Sequence, residues 1–114
     1  MDIENRIGQT LFDISPNKAK KIIMKSLISP ENDHGKFAFS FLSESGREES
    51  ISGSDIIDEM LKLLVELKQY YLDNNLTNGQ PIWLGSEVSV DLEKMKIHFD
   101  MKYTEEEVEA MFAD

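Results

Sequence analysis

The segment IDEMLKLLVELKQYY, residues 57–71, decides the fold because it is the longest stretch of regular apolar spacing in the chain. Its main apolar stripe repeats at intervals of three and four residues, which is typical of one face of an α-helix. The stripe consists of Ile57, Met60, Leu64, Leu67 and Tyr71. Helix-capping groups precede it at residues 53–55, so we predict a helix from about residue 55 to residue 74.

Further apolar residues flank this stripe on both sides, at Ile56, Leu61, Leu63, Val65, Tyr70 and Leu72. A helix that covers one face of a sheet needs a narrower apolar surface than this. The sequence therefore predicts a second contact for the helix, either with an N-terminal helix or with another copy of the chain in a homodimer. The pattern favours neither partner over the other.

A hairpin is predicted after this helix. The turn formers of residues 78–81 interrupt the chain just before Trp83, its only tryptophan. Apolar and polar residues then alternate from Glu87 to Lys102 on both sides of a turn at Glu93-Lys94, which indicates two strands with one apolar and one charged face. Because Trp83 directly precedes a strand, we predict that it lies in the core rather than in an interface.

Three strands are predicted before the helix. The first, within residues 18–29, carries four lysines, and we interpret it as a solvated rim at the edge of a sheet. The lysines are Lys18, Lys20, Lys21 and Lys25. The second strand places Phe37, Phe39 and Phe41 on one face, which indicates a core strand. The third, residues 47–51, is short and polar and is predicted at or near a sheet edge.

Helices are predicted at both ends of the chain. Ile3, Ile7 and Leu11 recur every four residues and predict a helix over residues 2–14, while Thr104 and Glu107 fit a capping box at the start of a final helix. The order of elements is therefore α-β-β-β-α-β-β-α. We predict a single α+β domain over residues 1–114, with an antiparallel sheet of about five strands.

The composition is strongly acidic. Asp and Glu number 22 against 12 Lys and Arg, a formal net charge of -10. Such a charge repels nucleic acid and attracts a basic protein partner. Cysteine is absent, which excludes thiolate chemistry, and neither a secretory signal nor a stretch of roughly 20 apolar residues is visible. We expect a cytoplasmic protein without membrane contact.

No residue pattern indicates catalysis. The chain lacks a glycine-rich phosphate loop. The best candidate for a metal site, or for a base and its orienting group, is the pair His98 and Asp100 on the charged face of the last strand. No further ligands accompany this pair at a recognisable spacing. We predict no catalytic residue, no metal and no cofactor; an enzyme would require that His98 and Asp100 line a deep pocket with additional ligands.

Three segments together resemble the YezG-like immunity proteins of bacterial polymorphic toxin and contact-dependent growth inhibition systems. They are the leucine-rich helix at residues 61–67, the Asn-Gly-Gln-Pro-x-Trp turn at residues 78–83, and the alternating hairpin at residues 87–103. The resemblance implies a cytoplasmic protein that binds the toxic C-terminal domain of an effector, often a nuclease. It implies inhibition by stoichiometric occlusion, without turnover.

A nuclease presents cationic groups to its phosphate substrate, so carboxylates are the expected contacts of such an inhibitor. Our candidates lie on predicted short-strand or outward hairpin positions: Glu48, Glu49, Glu87, Asp91, Glu93 and Asp100. The alternative function is an acidic secretion chaperone or export adaptor, which shares this order of elements. A chaperone would expose extended apolar patches to hold an unfolded segment.

Overall fold

The computed structural model describes residues 2–113, and its elements follow the predicted order. A short 3-10 turn at Ser54–Ile56 leads into the central helix. The elements are α1 (Asp2–Ile14), β1 (Lys21–Ile28), β2 (Gly35–Leu42), β3 (Glu48–Ile51), α2 (Ile57–Asp73), β4 (Gly85–Asp91), β5 (Lys96–Lys102) and α3 (Glu105–Phe112). The α+β fold with a five-stranded antiparallel sheet is therefore confirmed.

The strand order in the sheet is β3-β2-β1-β4-β5, which places β1 at the centre. The interpretation of the lysine-rich segment as an edge rim is therefore wrong. Strand β1 pairs with both β2 and β4, and its alternate residues, such as Ile22 and Met24, are fully buried. Only Lys21 and Lys25 of the four lysines lie in the strand, and both project from the opposite face of the sheet.

Helices α1 and α2 lie side by side on one face of the sheet, which we call the inner face. The core between them and the strands includes Ile7, Leu11, Leu64, Leu67 and Val88, all without solvent exposure. Helix α1 packs along α2 and so supplies the second contact that the wide apolar surface of α2 predicts. Helix α1 thus covers part of that surface, whereas Tyr70 and Leu72 remain exposed near the end of α2.

Helix α3 packs on the other face, the outer face, at one end of the sheet. Its Val108 and Met111 are buried above Gly85, where an added Cβ would lie 3.3 Å from the Val108 side chain and 2.5 Å from the backbone oxygen of Ser26. The predicted capping box is present: Thr104 Oγ1 accepts from the Glu107 backbone N–H at 3.1 Å, and Glu107 Oε1 accepts from the Thr104 N–H at 3.1 Å. These bonds fix where α3 begins, at the border of the outer face.

Trp83 is only 3% exposed, which confirms its predicted place in the core. Its ring meets the ring of Tyr71 edge to face, with centroids 4.9 Å apart. Burial raises the pKa of the Tyr71 hydroxyl, and nearby Glu4 adds to this effect. No helix within residues 2–113 is long and apolar enough to cross a membrane.

Candidate functional site

The fold brings four of the six carboxylates predicted from the sequence onto the outer face. The pairing register places Glu48, Glu87, Asp91 and Asp100 there. Glu49 pairs with Phe41 and lies on the inner-face side of β3, and Glu93 lies in the turn between β4 and β5. The six residues therefore do not form one continuous surface.

Lysines alternate with these carboxylates across the outer face. Asp91 pairs with Lys21 on one side and with Lys96 on the other, while Glu87 lies between Lys25 and Asp100. Lys102 Nζ donates to Asp100 at 2.9 Å, and this hydrogen bond raises the pKa of Lys102. The outer face is accordingly a mixed-charge surface, on which Asp100 forms an ion pair and Glu87 and Asp91 have lysines as cross-strand neighbours.

Asp91 stabilises the turn between β4 and β5. One carboxylate oxygen accepts from the backbone N–H groups of Lys94 and Glu93, each at 3.0 Å, and these bonds lower the pKa of Asp91, with the Lys94 bond the larger cause. They close a turn in which Met95 has a φ of 53°. The carboxylate that the sequence offers as a contact thus stabilises the hairpin.

His98 and Asp100 do not form a base and orienter pair among the residues described. His98 is exposed beside a shallow depression of about 350 Å³ that also includes Ser89 and Lys96, whereas Asp100 is bound to Lys102. Within residues 2–113, no three His, Asp or Glu side chains converge as metal ligands would. His98 and Asp100 therefore do not come together with the additional ligands that the enzyme hypothesis requires.

An apolar cavity of about 500 Å³, which we call the cleft, opens at one end of the sheet. It is a gap between four parts of the fold: the end of β1, the segment before β4, helix α2 and helix α3. Its walls are Leu27, Ile28, Pro30, Lys68, Ile82, Trp83, Leu84, Glu105, Val108 and Glu109. Cavities of this size and apolar character suit a small ligand or one or two side chains of a protein partner.

Lys68 is the single cation in the cleft wall and is only 9% exposed. Its Nζ donates to Asn32 Oδ1 at 2.8 Å, which uses one of its three donors, and burial lowers the pKa of Lys68. No carboxylate of residues 2–113 lies within ion-pair distance of it. The cleft therefore contains a buried charge that the fold leaves without a counterion.

Replacing Lys68 with methionine should stabilise the protein by about 1 kcal/mol, because the variant keeps the apolar stem and removes a charge that folding desolvates. Since the pKa of Lys68 is lowered on folding, this penalty is present at neutral pH and disappears as the pH rises through the folded-state pKa toward the ordinary lysine value. Urea unfolding at neutral and alkaline pH measures the gain and its decline.

Lys62→Met is the matched control for this experiment, since Lys62 is exposed on the same helix and should show neither effect. A loss of stability in Lys68→Met at neutral pH would contradict the argument. It would mean that the hydrogen bond to Asn32 outweighs the cost of desolvating the ammonium group.

The cleft and its polar residues were not predicted from the sequence. A signal for Lys68 exists: it follows Leu67 and lies four residues after Leu64, so it is a charged residue within the buried stripe of α2. Glu105 and Glu109 likewise lie three residues before and one residue after Val108, the first buried residue of α3. The cavity itself has no sequence signal because it depends on how distant segments pack.

No protein-family model matches the chain, and no curated protein matches it significantly.

Proposed function

We propose that this chain is a cytoplasmic immunity protein that binds and neutralises a cognate toxin domain, a nuclease, by stoichiometric occlusion. The observation that carries the proposal is the combination of the apolar cleft with the acidic helix beside it. A cavity for an apolar side chain next to unbalanced carboxylates suits a basic protein partner. The resemblance to YezG-like immunity proteins supports the same function.

Helix α3 is rich in negative charge, and none of its glutamates lies within ion-pair distance of a cation of residues 2–113. Four of its eight residues are glutamate, and none is basic. Glu107 is used in the capping box, whereas Glu105 and Glu109 lie one helical turn apart in the wall of the cleft. Their position contrasts with that of Glu87 and Asp91, which face lysines across the sheet.

The proposed mechanism combines an apolar anchor with charge pairing around it. An apolar side chain of the toxin enters the cleft, and cationic residues of its substrate-binding groove face Glu105 and Glu109. Burial of the anchor excludes water from these ion pairs, which is how a few central residues provide most of the affinity in protein interfaces. The net charge of -10 increases the rate of encounter with a basic nuclease.

The secretion chaperone is the second candidate, and one observation bears on it. A cleft of about 500 Å³ accepts a small number of side chains, whereas a chaperone holds an unfolded segment on an extended apolar surface. The exposed apolar residues near the end of α2, Tyr70, Leu72 and Leu76, provide some additional surface. The limited volume of the cleft favours a folded partner over an unfolded segment, which supports the immunity function.

Growth of a bacterial host tests the proposal. The toxin is the C-terminal domain encoded by the adjacent upstream gene, where that gene encodes one, and its expression alone should stop growth. Co-expression of this chain should restore growth because each toxin molecule is occluded. An unrelated acidic protein of similar size and charge is the control, and rescue by that protein would contradict a specific interaction.

A further inference from the structure

The two edges of the sheet are built differently. At one edge, β3 has only four residues and begins with the exposed carboxylates Glu48 and Glu49. At the other, β5 has seven residues, and every one of them pairs with a residue of β4 in an unbroken register. Within residues 2–113, no strand pairs with the other side of β5.

Strand β5 carries two lysines, Lys96 and Lys102, on its outer face, but it lacks the backbone features that usually prevent an edge strand from pairing. It contains neither proline nor a bulge, and it is long enough to offer a complete row of backbone donors and acceptors. Its inner-face residues Ile97, Phe99 and Met101 are only half-buried. Met95 and Tyr103, which flank the strand, are 56% and 48% exposed.

Apolar surface also continues from β5 onto helix α1. A depression of about 230 Å³ lies between them and includes Gly8, Phe12, Met95 and Ile97. Phe12 is 40% exposed although it belongs to a helix that otherwise packs on the core. A partner that extends the sheet past β5 would cover this depression and these side chains together.

We propose that β5 pairs antiparallel with β5 of a second copy of this chain, around a two-fold axis at His98. An axis perpendicular to the sheet keeps both inner faces on the same side, as a continuous sheet requires. In this register, Lys96 of each copy lies opposite Asp100 of the other, and Ile97 lies opposite Phe99. Because the axis repeats each pair, the interface contains two pairs of opposite charges and two pairs of apolar side chains.

The charges of β5 favour this register over those centred on Phe99 and Asp100. Centring the pair on Phe99 would place Lys96 opposite Lys102, and centring it on Asp100 would place two carboxylates opposite each other. With the axis at His98, the only like-charged position is Lys102 opposite Lys94, which lies in the turn outside the strand. An axis at Ile97 would also place Lys94 opposite Asp100, but only residues 96–98 of β5 would then pair with one another, against residues 96–100 with the axis at His98. The axis at His98 therefore combines matched charges with the longer pairing.

Sedimentation of the full chain and of two charge reversals tests the dimer. The unaltered chain should show a concentration-dependent dimer. Lys96→Asp and Asp100→Lys should each weaken the dimer at least ~10-fold, because each places two like-charged pairs in the interface. An equimolar mixture of the two variants should form a heterodimer, and the double variant should regain the homodimer, because both arrangements restore opposite charges.

Glu49→Lys on the opposite sheet edge is the matched control and should leave the dimer unchanged. Circular dichroism of each variant establishes that it is folded. A monomer at every concentration of the unaltered chain would overturn the proposal. It would also be overturned if both single reversals kept the original dimer, or if mixing them failed to restore association. None of these outcomes depends on whether the chain inhibits a toxin.

Discussion

Trp83→Ala should lower the free energy of unfolding by about 3–5 kcal/mol, the range for removing a buried aromatic side chain. Trp83 is 3% exposed, contacts Tyr71 edge to face, and closes the core between the start of β4 and helix α2. Its removal would leave a cavity that the adjoining strand cannot fill. Urea unfolding followed by circular dichroism measures the loss.

Two variants make this result interpretable. Trp83→Phe keeps most of the apolar volume and should cost much less, and Leu72→Ala removes an exposed apolar side chain and should have little effect. A cost below about 1 kcal/mol for Trp83→Ala would contradict the assignment of this residue to the core. It would instead favour a role for Trp83 as an anchor in a protein interface.

Reversing both carboxylates of the cleft, Glu105→Lys with Glu109→Lys, should weaken binding of the toxin domain by about 100-fold. The change replaces two attractive contacts with two repulsive ones at the site where water is excluded, and interface charges of this kind carry a few kcal/mol. Calorimetric titration against the purified toxin domain measures the effect. Both positions are exposed, so the variant should remain folded.

Glu48→Lys with Glu49→Lys is the matched comparison, since it makes the same change in net charge at the edge strand β3. Both pairs alter long-range attraction to a similar extent, and the difference between them isolates the local contact. A larger loss of affinity from the β3 pair would place the interface at that edge and would contradict the proposed role of the cleft.

The helices and hairpin were predictable because their apolar spacing is local. The stripe from Ile57 to Tyr71 determines the buried face of α2 without knowledge of its partners, and the capping box between Thr104 and Glu107 marks the start of α3. Alternation likewise assigns each residue of β4 to one face of the sheet. These features depend on neighbours within a few positions.

The place of β1 was not predictable in the same way. Its lysines are compatible with an edge strand, but also with a central strand whose outer face is open to solvent, and Lys21 and Lys25 occupy the second situation. Which strand is central depends on pairing between distant segments, such as Ile22 with Val90. Single-strand patterns do not contain that information.

The candidate site shows the same division between local and non-local information. The acidic character of the chain was evident from composition, but the lysines opposite Glu87 and Asp91 become visible only through the register. Conversely, Lys68, Glu105 and Glu109 belong to two segments far apart in sequence that converge at the cleft. Carboxylates without internal partners are therefore better candidates for binding than carboxylates chosen by predicted exposure.

Stoichiometric inhibition of the toxin domain is the measurement that tests the proposed function most directly. The nuclease activity of a fixed amount of purified toxin domain is followed while this protein is added. We predict a linear fall to complete inhibition at one copy per toxin domain, without loss of the inhibitor, because occlusion involves no turnover. Unchanged nuclease activity at a large molar excess of this protein would contradict the account.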